Sequence, residues 1–333
     1  MISTGQLAIR ARWSASGLRD IEVALQRPPV TQVFIGQTPQ IVVKSLPLIY
    51  SLCAEAQRFV GQVALATAAG EPLAPSDHAR LWIEMLHENF WRLLLDWPPA
   101  LGLSAEKAAF IGWRAARHGA RCRELTQHLL TTTLPELAEK CGKKWVDRSL
   151  SAESQASRVE PWRSPFLPQK FSENSPAEAE GNTDLFETVR AEPVEALENT
   201  GITLRQGCLP SSLPPASPRQ AFESRLRAVH EAAAALYADQ PYPLALAAAE
   251  SCAVAQTATA RGVLTHAVRL AAGRIENYRV WAPTDLFFAD ARALSALLAG
   301  QQFADTAAAR QAIEQAVLAL DPCLPYTVEL SDA

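Results

Sequence analysis

Residues 260–288 have the sequence ARGVLTHAVRLAAGRIENYRVWAPTDLFF, and this stretch decides the fold of the second half of the chain. Two runs of apolar and β-branched residues flank a turn at Gly273, which predicts two antiparallel strands joined as a hairpin. Beyond them, apolar residues recur every three or four positions over residues 285–300 and 305–320. That spacing predicts two helices, the second with Asp305 as its N-cap.

The first half of the chain has the same mixture of short strands and longer helices. In the second half, Ser217 and Pro218 suit the N-cap and the first position of a further helix, and this half begins there. The predicted fold class is therefore mainly α with small antiparallel β pieces. In the first half, we expect a hairpin over residues 6–13 and 18–25 and helices over residues 40–69, 76–97 and 104–130, with Pro98-Pro99 breaking the chain after the second helix.

A polar segment interrupts this pattern. Residues 149–218 are rich in Ser, Pro, Glu and Asn, and such a composition buries too little apolar surface to offset the entropy lost on ordering. We expect this segment to be a disordered linker or insertion. It separates an N-terminal part, residues 1–148, from a C-terminal part, residues 219–333.

Composition excludes several classes of protein. The 31 basic and 35 acidic residues give a net charge of −4 without a Lys/Arg block, so nucleic-acid binding is not expected. No run approaches the roughly 20 apolar residues that span a bilayer, and the N-terminus lacks an apolar signal core, so we expect a cytoplasmic protein. The cysteines are too scattered for a disulfide framework, and reduced thiols are expected at Cys53, Cys122, Cys141, Cys208, Cys252 and Cys323.

Two separated motifs resemble the NiFe-hydrogenase large subunit. In that family an Arg-Gly strand with a His precedes G-x-I-x-N-Y-x-x-x-x-P-T, and residues 261–284 match this motif. The family chain ends near D-P-C-x-x-C-x-x-H, which the sequence LDPCLPYTVEL at 320–330 resembles. Residues 36–57, GQTPQIVVKSLPLIYSLCAEAQ, are similar to the family's G-R-x-P helix and P-R-I-C-G-x-C motif. The resemblance implies a large-subunit-like helical core.

The chain departs from the family at the metal ligands. Cys53 and Cys323 match one family cysteine each, whereas Tyr50, Tyr326 and Glu329 stand in place of the other two cysteines and the terminal histidine. Thr4 replaces a glutamate that relays protons in the family. A nickel–iron centre needs four soft thiolates, so two remaining cysteines predict that nickel is not bound and that the protein is not an enzyme.

The positions that are retained imply a site for iron alone. In the family, an arginine and a Pro-Thr pair line the pocket for iron with its cyanide and carbon monoxide ligands, and the resemblance places Arg261, Pro283 and Thr284 there. Guanidinium and hydroxyl donors suit an anionic cyanide complex. Cys53 and Cys323 are the implied metal ligands, and Arg261 nearby is expected to favour their thiolate forms.

This depleted ligand set is similar to the HupK family of hydrogenase accessory proteins. The resemblance implies a maturation scaffold or chaperone that transiently holds an iron–cyanide–carbonyl unit, with Hyp-type maturation proteins and the hydrogenase large subunit as partners. The alternative is a non-catalytic structural subunit of a redox complex that reuses the same fold.

Several of these side chains also have ordinary structural interpretations. Arg261 could pair with a surface carboxylate, and His266, which matches a family histidine, is more easily a hydrogen-bonded core residue than a metal ligand. Glu84, His87 and Glu88 share one helical face and predict a solvated stripe beside a Trp/Leu core. The four other cysteines are expected to be inert.

Overall fold

The computed structural model describes residues 5–14, 17–149, 204–206 and 213–332 of the chain. Its strands are β1 (Gln6–Ser14), β2 (Gly17–Gln26), β3 (Leu204–Gln206), β4 (Leu244–Ala249), β5 (Cys252–Thr259), β6 (Gly262–Ala271), β7 (Arg274–Trp281) and β8 (Tyr326–Asp332). Its helices are α1 (Pro39–Ile49), α2 (Ala54–Ala68), α3 (His78–Trp91), α4 (Trp97–Ala100), α5 (Lys107–Ala116), α6 (Cys122–His128), α7 (Leu134–Ser149), α8 (Pro218–Tyr237), α9 (Pro283–Phe287), α10 (Arg292–Leu298) and α11 (Thr306–Leu320).

The strands form two sheets, one of which joins the two ends of the chain. Its strand order is β2-β1-β8, and β8 runs parallel to β1, with Leu7 opposite Tyr326 and Trp13 opposite Asp332. The other sheet is antiparallel, in the order β3-β4-β5-β6-β7. Both predicted hairpins are present, but the sequence interpretation missed β4, β5 and the closing strand β8.

Helix α2 packs against the five-stranded sheet and forms the centre of the core. Gly61 lies at this contact, where an added Cβ would stand 2.3 Å from Leu46 Cδ1 and 2.8 Å from the Tyr278 hydroxyl oxygen. A glycine here therefore lets α2 approach both Leu46 of α1 and Tyr278 of the sheet this closely. The aromatic side chains Trp82, Phe90 and Trp97 are also buried in the core, and Trp91 is partly buried against it.

Local differences from the expected helices have clear causes. The helix expected over residues 40–69 is two helices, because the chain breaks between Tyr50 and Cys53, where Cys53 takes a left-handed conformation with φ 53°. The helix expected over residues 104–130 is likewise divided into α5 and α6. Pro98-Pro99 lie inside the short helix α4, since the first turn of a helix tolerates proline.

Both predicted helix caps are confirmed. The hydroxyl of Ser217 accepts from the backbone N–H of Gln220 at 3.1 Å, and the Asp305 carboxylate accepts from Ala308 N–H at 2.8 Å. Each side chain satisfies an N–H group that has no partner within its helix.

Most of the predicted linker, residues 149–218, lies outside the described residues. Within it, Leu204–Gln206 adds an edge strand to the five-stranded sheet by pairing with β4, and Ser149 still belongs to α7. The fold class is confirmed as mainly helical with small sheets. In the described part of the chain, no helix is long and apolar enough to cross a membrane.

The close approach at Gly61 makes a testable prediction. Gly61→Ala should lower the free energy of unfolding by about 1–3 kcal/mol, because the new methyl group forces α2 away from the sheet. Urea unfolding followed by circular dichroism measures this loss. Gly112→Ala is the matched control: nothing lies within 4 Å of its Cβ position on exposed α5, so alanine should stabilise by about 0.5–1 kcal/mol. Equal effects at both glycines would contradict the packing argument.

Candidate functional site

The five residues selected from the sequence line one pocket. Cys53, Arg261, Pro283, Thr284 and Cys323 surround a cavity of about 30 Å³, although 270 positions (323 − 53) separate the two cysteines. The wall also includes residues that the sequence analysis did not select: Arg27, Tyr50, Ser51, Leu52, Gln57, Thr259, Leu264, Val280 and Ala282.

Cys53 reaches the pocket from the break between α1 and α2. Its left-handed backbone places it at the N-cap of α2. Burial raises the pKa of its thiol, the charge of Glu84 raises it further, and the opposing charge of Arg261 does not outweigh them. Arg261 thus favours the thiolate of Cys53 as expected, but its charge is outweighed, because desolvation is the larger effect on this pKa.

Cys323 lies opposite, at the turn between α11 and β8. The Thr284 hydroxyl donates to its sulfur at 3.2 Å and accepts from the Cys323 backbone N–H at 3.1 Å. Arg27 Nη2 donates to the same sulfur at 3.2 Å. Thr284 thus fixes both the backbone and the side chain of Cys323. The contact from Arg27 has no sequence signal, because the two residues are 296 positions apart.

A buried ionic cluster holds the turn that carries Cys323. Asp321 ends α11 in a left-handed conformation, and its carboxylate lies 2.6 Å from Arg92 Nη2, 2.6 Å from Arg225 Nη2 and 3.4 Å from Arg261 Nε. Burial alone would raise the pKa of Asp321, but the three guanidinium groups outweigh it and hold that pKa well below its usual range. Asp321 is therefore ionised, and it anchors its turn to α3, α8 and the start of β6.

Arg261 connects this cluster to the pocket. Its Nη2 donates to Glu88 Oε2 at 2.9 Å, and its side chain is 3 % exposed. Its Nε and Nη1 atoms have no hydrogen-bond partner among the described residues. The surface ion pair considered for Arg261 is thus wrong, because its pairs with Glu88 and Asp321 are buried; Nε contacts Asp321 as an ion pair without a hydrogen bond, and Nη1 is left without a hydrogen-bond partner in the described part of the chain.

The expected solvated stripe on α3 is wrong. Glu88 is buried against Arg261, and His87 Nδ1 lies 3.1 Å from Glu88 Oε1. Glu84 accepts from the backbone N–H groups of Glu55 and Ala56 at 2.7 and 2.9 Å, so it caps α2 beside Cys53. Burial raises the pKa of Glu84 to about 7. Helical periodicity could not reveal this, because the partners come from distant parts of the chain.

His266 has the structural role that the sequence favoured. It is fully buried, with Nδ1 2.8 Å from the Tyr278 hydroxyl and Nε2 2.8 Å from Gln57 Oε1. Both ring nitrogens are therefore engaged by side chains, and burial lowers the pKa of His266 to about 3. The imidazole is neutral at physiological pH.

Two of the residues that replace family ligands lie away from the pocket. Tyr326 is 41 % exposed on β8, and Glu329 on the same strand pairs with Arg10 at 2.8 Å on the surface. Tyr50 does line the pocket, where burial raises its pKa to about 12. Within the described ranges, no three His, Cys, Asp or Glu side chains converge as a metal site. The pocket therefore offers two thiols as its soft ligands.

Comparison with known proteins finds similarity along almost the whole chain. No protein-family model matches the chain. It is 29% identical to the hydrogenase expression/formation protein HupV of Azotobacter chroococcum mcd 1 and 28% identical to HupK of Azotobacter vinelandii, in each case over 99% of both chains. Along almost its whole length, the chain is similar to proteins named hydrogenase expression/formation proteins. A further relative, HoxV of Cupriavidus necator, is 24% identical over 93% of each chain.

Solved structures confirm the predicted fold of the chain. The Ni-Fe-Se hydrogenase from D. vulgaris Hildenborough superposes with a TM-score of 0.57 at 12% identity, covering 93% of this chain and 94% of the other. The Ni-Fe-Se hydrogenase from Desulfomicrobium baculatum gives a TM-score of 0.57 at 13% identity, covering 94% and 95%. The fold is that of a NiFe-hydrogenase large subunit.

The cluster at Asp321 predicts a large stability effect. Asp321→Asn should lower the free energy of unfolding by about 3–5 kcal/mol, because it leaves buried guanidinium groups without a counter-charge. Asp290→Asn is the control, since Asp290 pairs with Arg292 on the surface and should contribute at most about 1 kcal/mol. Urea unfolding of both variants measures the difference, and similar losses in the two would disprove the central role of Asp321.

His266 predicts a pH dependence. Between pH 6.5 and 5 an unfolded histidine, with a pKa near 6.5, takes up a proton that the folded imidazole, with a pKa of about 3, does not accept. The contribution of neutral His266 to the free energy of unfolding is therefore fully present above pH 6.5. It falls as the pH is lowered, by about 2 kcal/mol at pH 5. His266→Gln should remove that part of the slope in urea unfolding measured at several pH values. An unchanged slope would show that another group causes it.

Proposed function

We propose that this protein is a scaffold or chaperone for the assembly of NiFe-hydrogenase, and that its cargo is an iron–cyanide–carbonyl unit held between Cys53 and Cys323. The observation that carries the proposal is the meeting of these two thiols beside the unsatisfied donors of Arg261. The printed names of the relatives, hydrogenase expression/formation proteins, support a role in hydrogenase formation.

The donor set of the pocket fits cyanide-bearing iron. A buried N–H group without a partner costs about 1–3 kcal/mol, and a bound acceptor would remove that cost at Arg261. Cyanide nitrogens accept hydrogen bonds, and a guanidinium is the strongest fixed donor available to them. Pro283 fixes the start of α9 so that Thr284 faces Cys323.

Binding requires two changes in the pocket. The Cys53 thiol must lose its proton to become a ligand, since thiolates bind metals, and burial raises the pKa that this step has to overcome. A cavity of about 30 Å³ holds two or three water molecules, whereas the unit has seven atoms. Ser51 and Leu52 line the pocket in the break between α1 and α2. We expect this part of the wall to move outward, because its movement breaks no hydrogen bond inside a helix.

The same ligand set argues for a non-catalytic protein. Nickel and iron together need four soft thiolates, and this pocket has two. The oxygen-bearing side chains of Tyr326 and Glu329 lie on the outer strand and do not line the pocket. We therefore expect transient iron binding without nickel. The partners that such a scaffold requires are Hyp-type maturation proteins and the hydrogenase large subunit, met in the cytoplasm.

Infrared spectroscopy tests the proposal. Protein purified anaerobically after co-expression with hydrogenase maturation proteins should show cyanide and carbonyl stretching bands. Cys53→Ala and Cys323→Ala should each abolish the bands and lower the yield of mature hydrogenase, because one thiolate does not hold the unit. Each should remain folded, with a loss of about 1–3 kcal/mol. Cys122→Ala, on α6 outside the pocket, is the control and should keep the bands.

The outcomes separate the alternatives. Full hydrogenase maturation in a strain with both cysteines replaced would remove the cargo site and leave a chaperone that acts by docking alone. Stoichiometric co-purification with a mature redox complex would instead favour the structural subunit. Nickel in the anaerobically purified protein would contradict the non-catalytic assignment.

A further inference from the structure

Arg27 is a pocket residue that the large-subunit motifs do not include. It follows directly after β2, and its side chain is 23% exposed. Its Nη2 lies 3.2 Å from Cys323 Sγ and its Nε lies 2.6 Å from Asp285 Oδ1. Asp285 is itself fixed, because its other carboxylate oxygen accepts from the Ala282 backbone N–H at 2.8 Å. The ion pair with Asp285 therefore holds the guanidinium against the sulfur.

This placement puts a permanent positive charge on one side of a predicted metal ligand. Thr284 approaches the Cys323 sulfur through its hydroxyl, and Arg27 approaches it through its guanidinium. An arginine remains charged at all accessible pH values, and contact with Cys323 and Asp285 raises its pKa against the opposing effect of burial. A cation that binds this sulfur must come close to the guanidinium or displace it.

The charge of the incoming metal then decides whether it is tolerated. A bare divalent cation carries two positive charges and is repelled by Arg27 at short range. Iron(II) with two cyanide ligands has no net charge, since 2 − 2 = 0, and its cyanide nitrogens can accept from the guanidinium. The same residue therefore opposes one species and stabilises the other.

We infer that Arg27 is the specificity-determining residue of the pocket, which admits cyanide-bearing iron at Cys323 and excludes bare divalent cations. The inference rests on the proposed function for the identity of the cargo. The exclusion of bare cations depends only on the geometry of Arg27, Cys323 and Asp285, so it can be tested without the cargo.

Cobalt(II) alone is the probe. Full-length protein, purified anaerobically without maturation proteins, is titrated with Co²⁺ while thiolate-to-cobalt charge-transfer absorbance is recorded. Arg27→Ala should bind Co²⁺ about ten-fold or more tightly than the unsubstituted protein, because the repulsion is removed. Arg27→Lys keeps the charge and should stay within about two-fold. Arg10→Ala, on the same hairpin but outside the pocket, is the matched control and should also stay within about two-fold.

A double variant tests whether the gain in Co²⁺ affinity comes from the Asp285 carboxylate instead of from the lost charge of Arg27. Removing Arg27 alone frees the Asp285 carboxylate, which could itself bind cobalt or destabilise the fold. Arg27→Ala combined with Asp285→Asn removes both charges, so neither an unpaired carboxylate nor a folding defect is expected. The gain in Co²⁺ affinity should persist in the double variant and disappear when Cys323→Ala is added.

The cobalt titration and the infrared measurement test separate claims. A gain that is absent from the double variant, or equal in Arg10→Ala, would overturn the role of Arg27. Absence of cyanide bands in the unsubstituted protein would overturn the proposed cargo while leaving the cation result in place. If both hold, Arg27→Ala co-expressed with the maturation proteins should lose intensity in the cyanide bands.

Discussion

The carboxylate of Asp321 is the point on which the site depends. Three arginines converge on it in the protein interior: Arg92 directly after α3, Arg225 in α8 and Arg261 directly before β6. Asp321 itself ends the last long helix in a left-handed conformation. A buried carboxylate with fewer partners would be neutral or unstable. Because these contacts fix Asp321, they also restrain the turn that carries Cys323 to the pocket it shares with Cys53.

Two further restraints complete the pocket from opposite directions. Thr284 holds Cys323 by its backbone and its sulfur, and Glu84 caps the helix that begins after Cys53. The parallel pairing of β1 with β8 brings the ends of the chain into one sheet, so a hairpin residue, Arg27, can reach the C-terminal cysteine. Contacts from distant parts of the chain thus hold both Cys323 and the start of α2 at the wall of one pocket.

The sequence predicted the residues of the pocket but not what holds them. Cys53 and Arg261 were found because motifs at both ends of the chain resemble one family, and motifs keep their order whatever lies between them. Periodicity placed Glu84 and Glu88 on a solvated face, since a helix pattern carries no information about a charged partner on another element. Cys53 was expected as a thiolate from its neighbour's charge, but the cost of burial is visible only in three dimensions.

The most direct test of this account is an anomalous-scattering crystal structure, recorded at the iron edge, of anaerobically purified protein whose infrared spectrum contains cyanide bands. The account predicts one iron peak between the sulfurs of Cys53 and Cys323, with Arg261 Nη1 directed at its ligands. An iron peak elsewhere in the chain, or at one of these cysteines without the other, would contradict it.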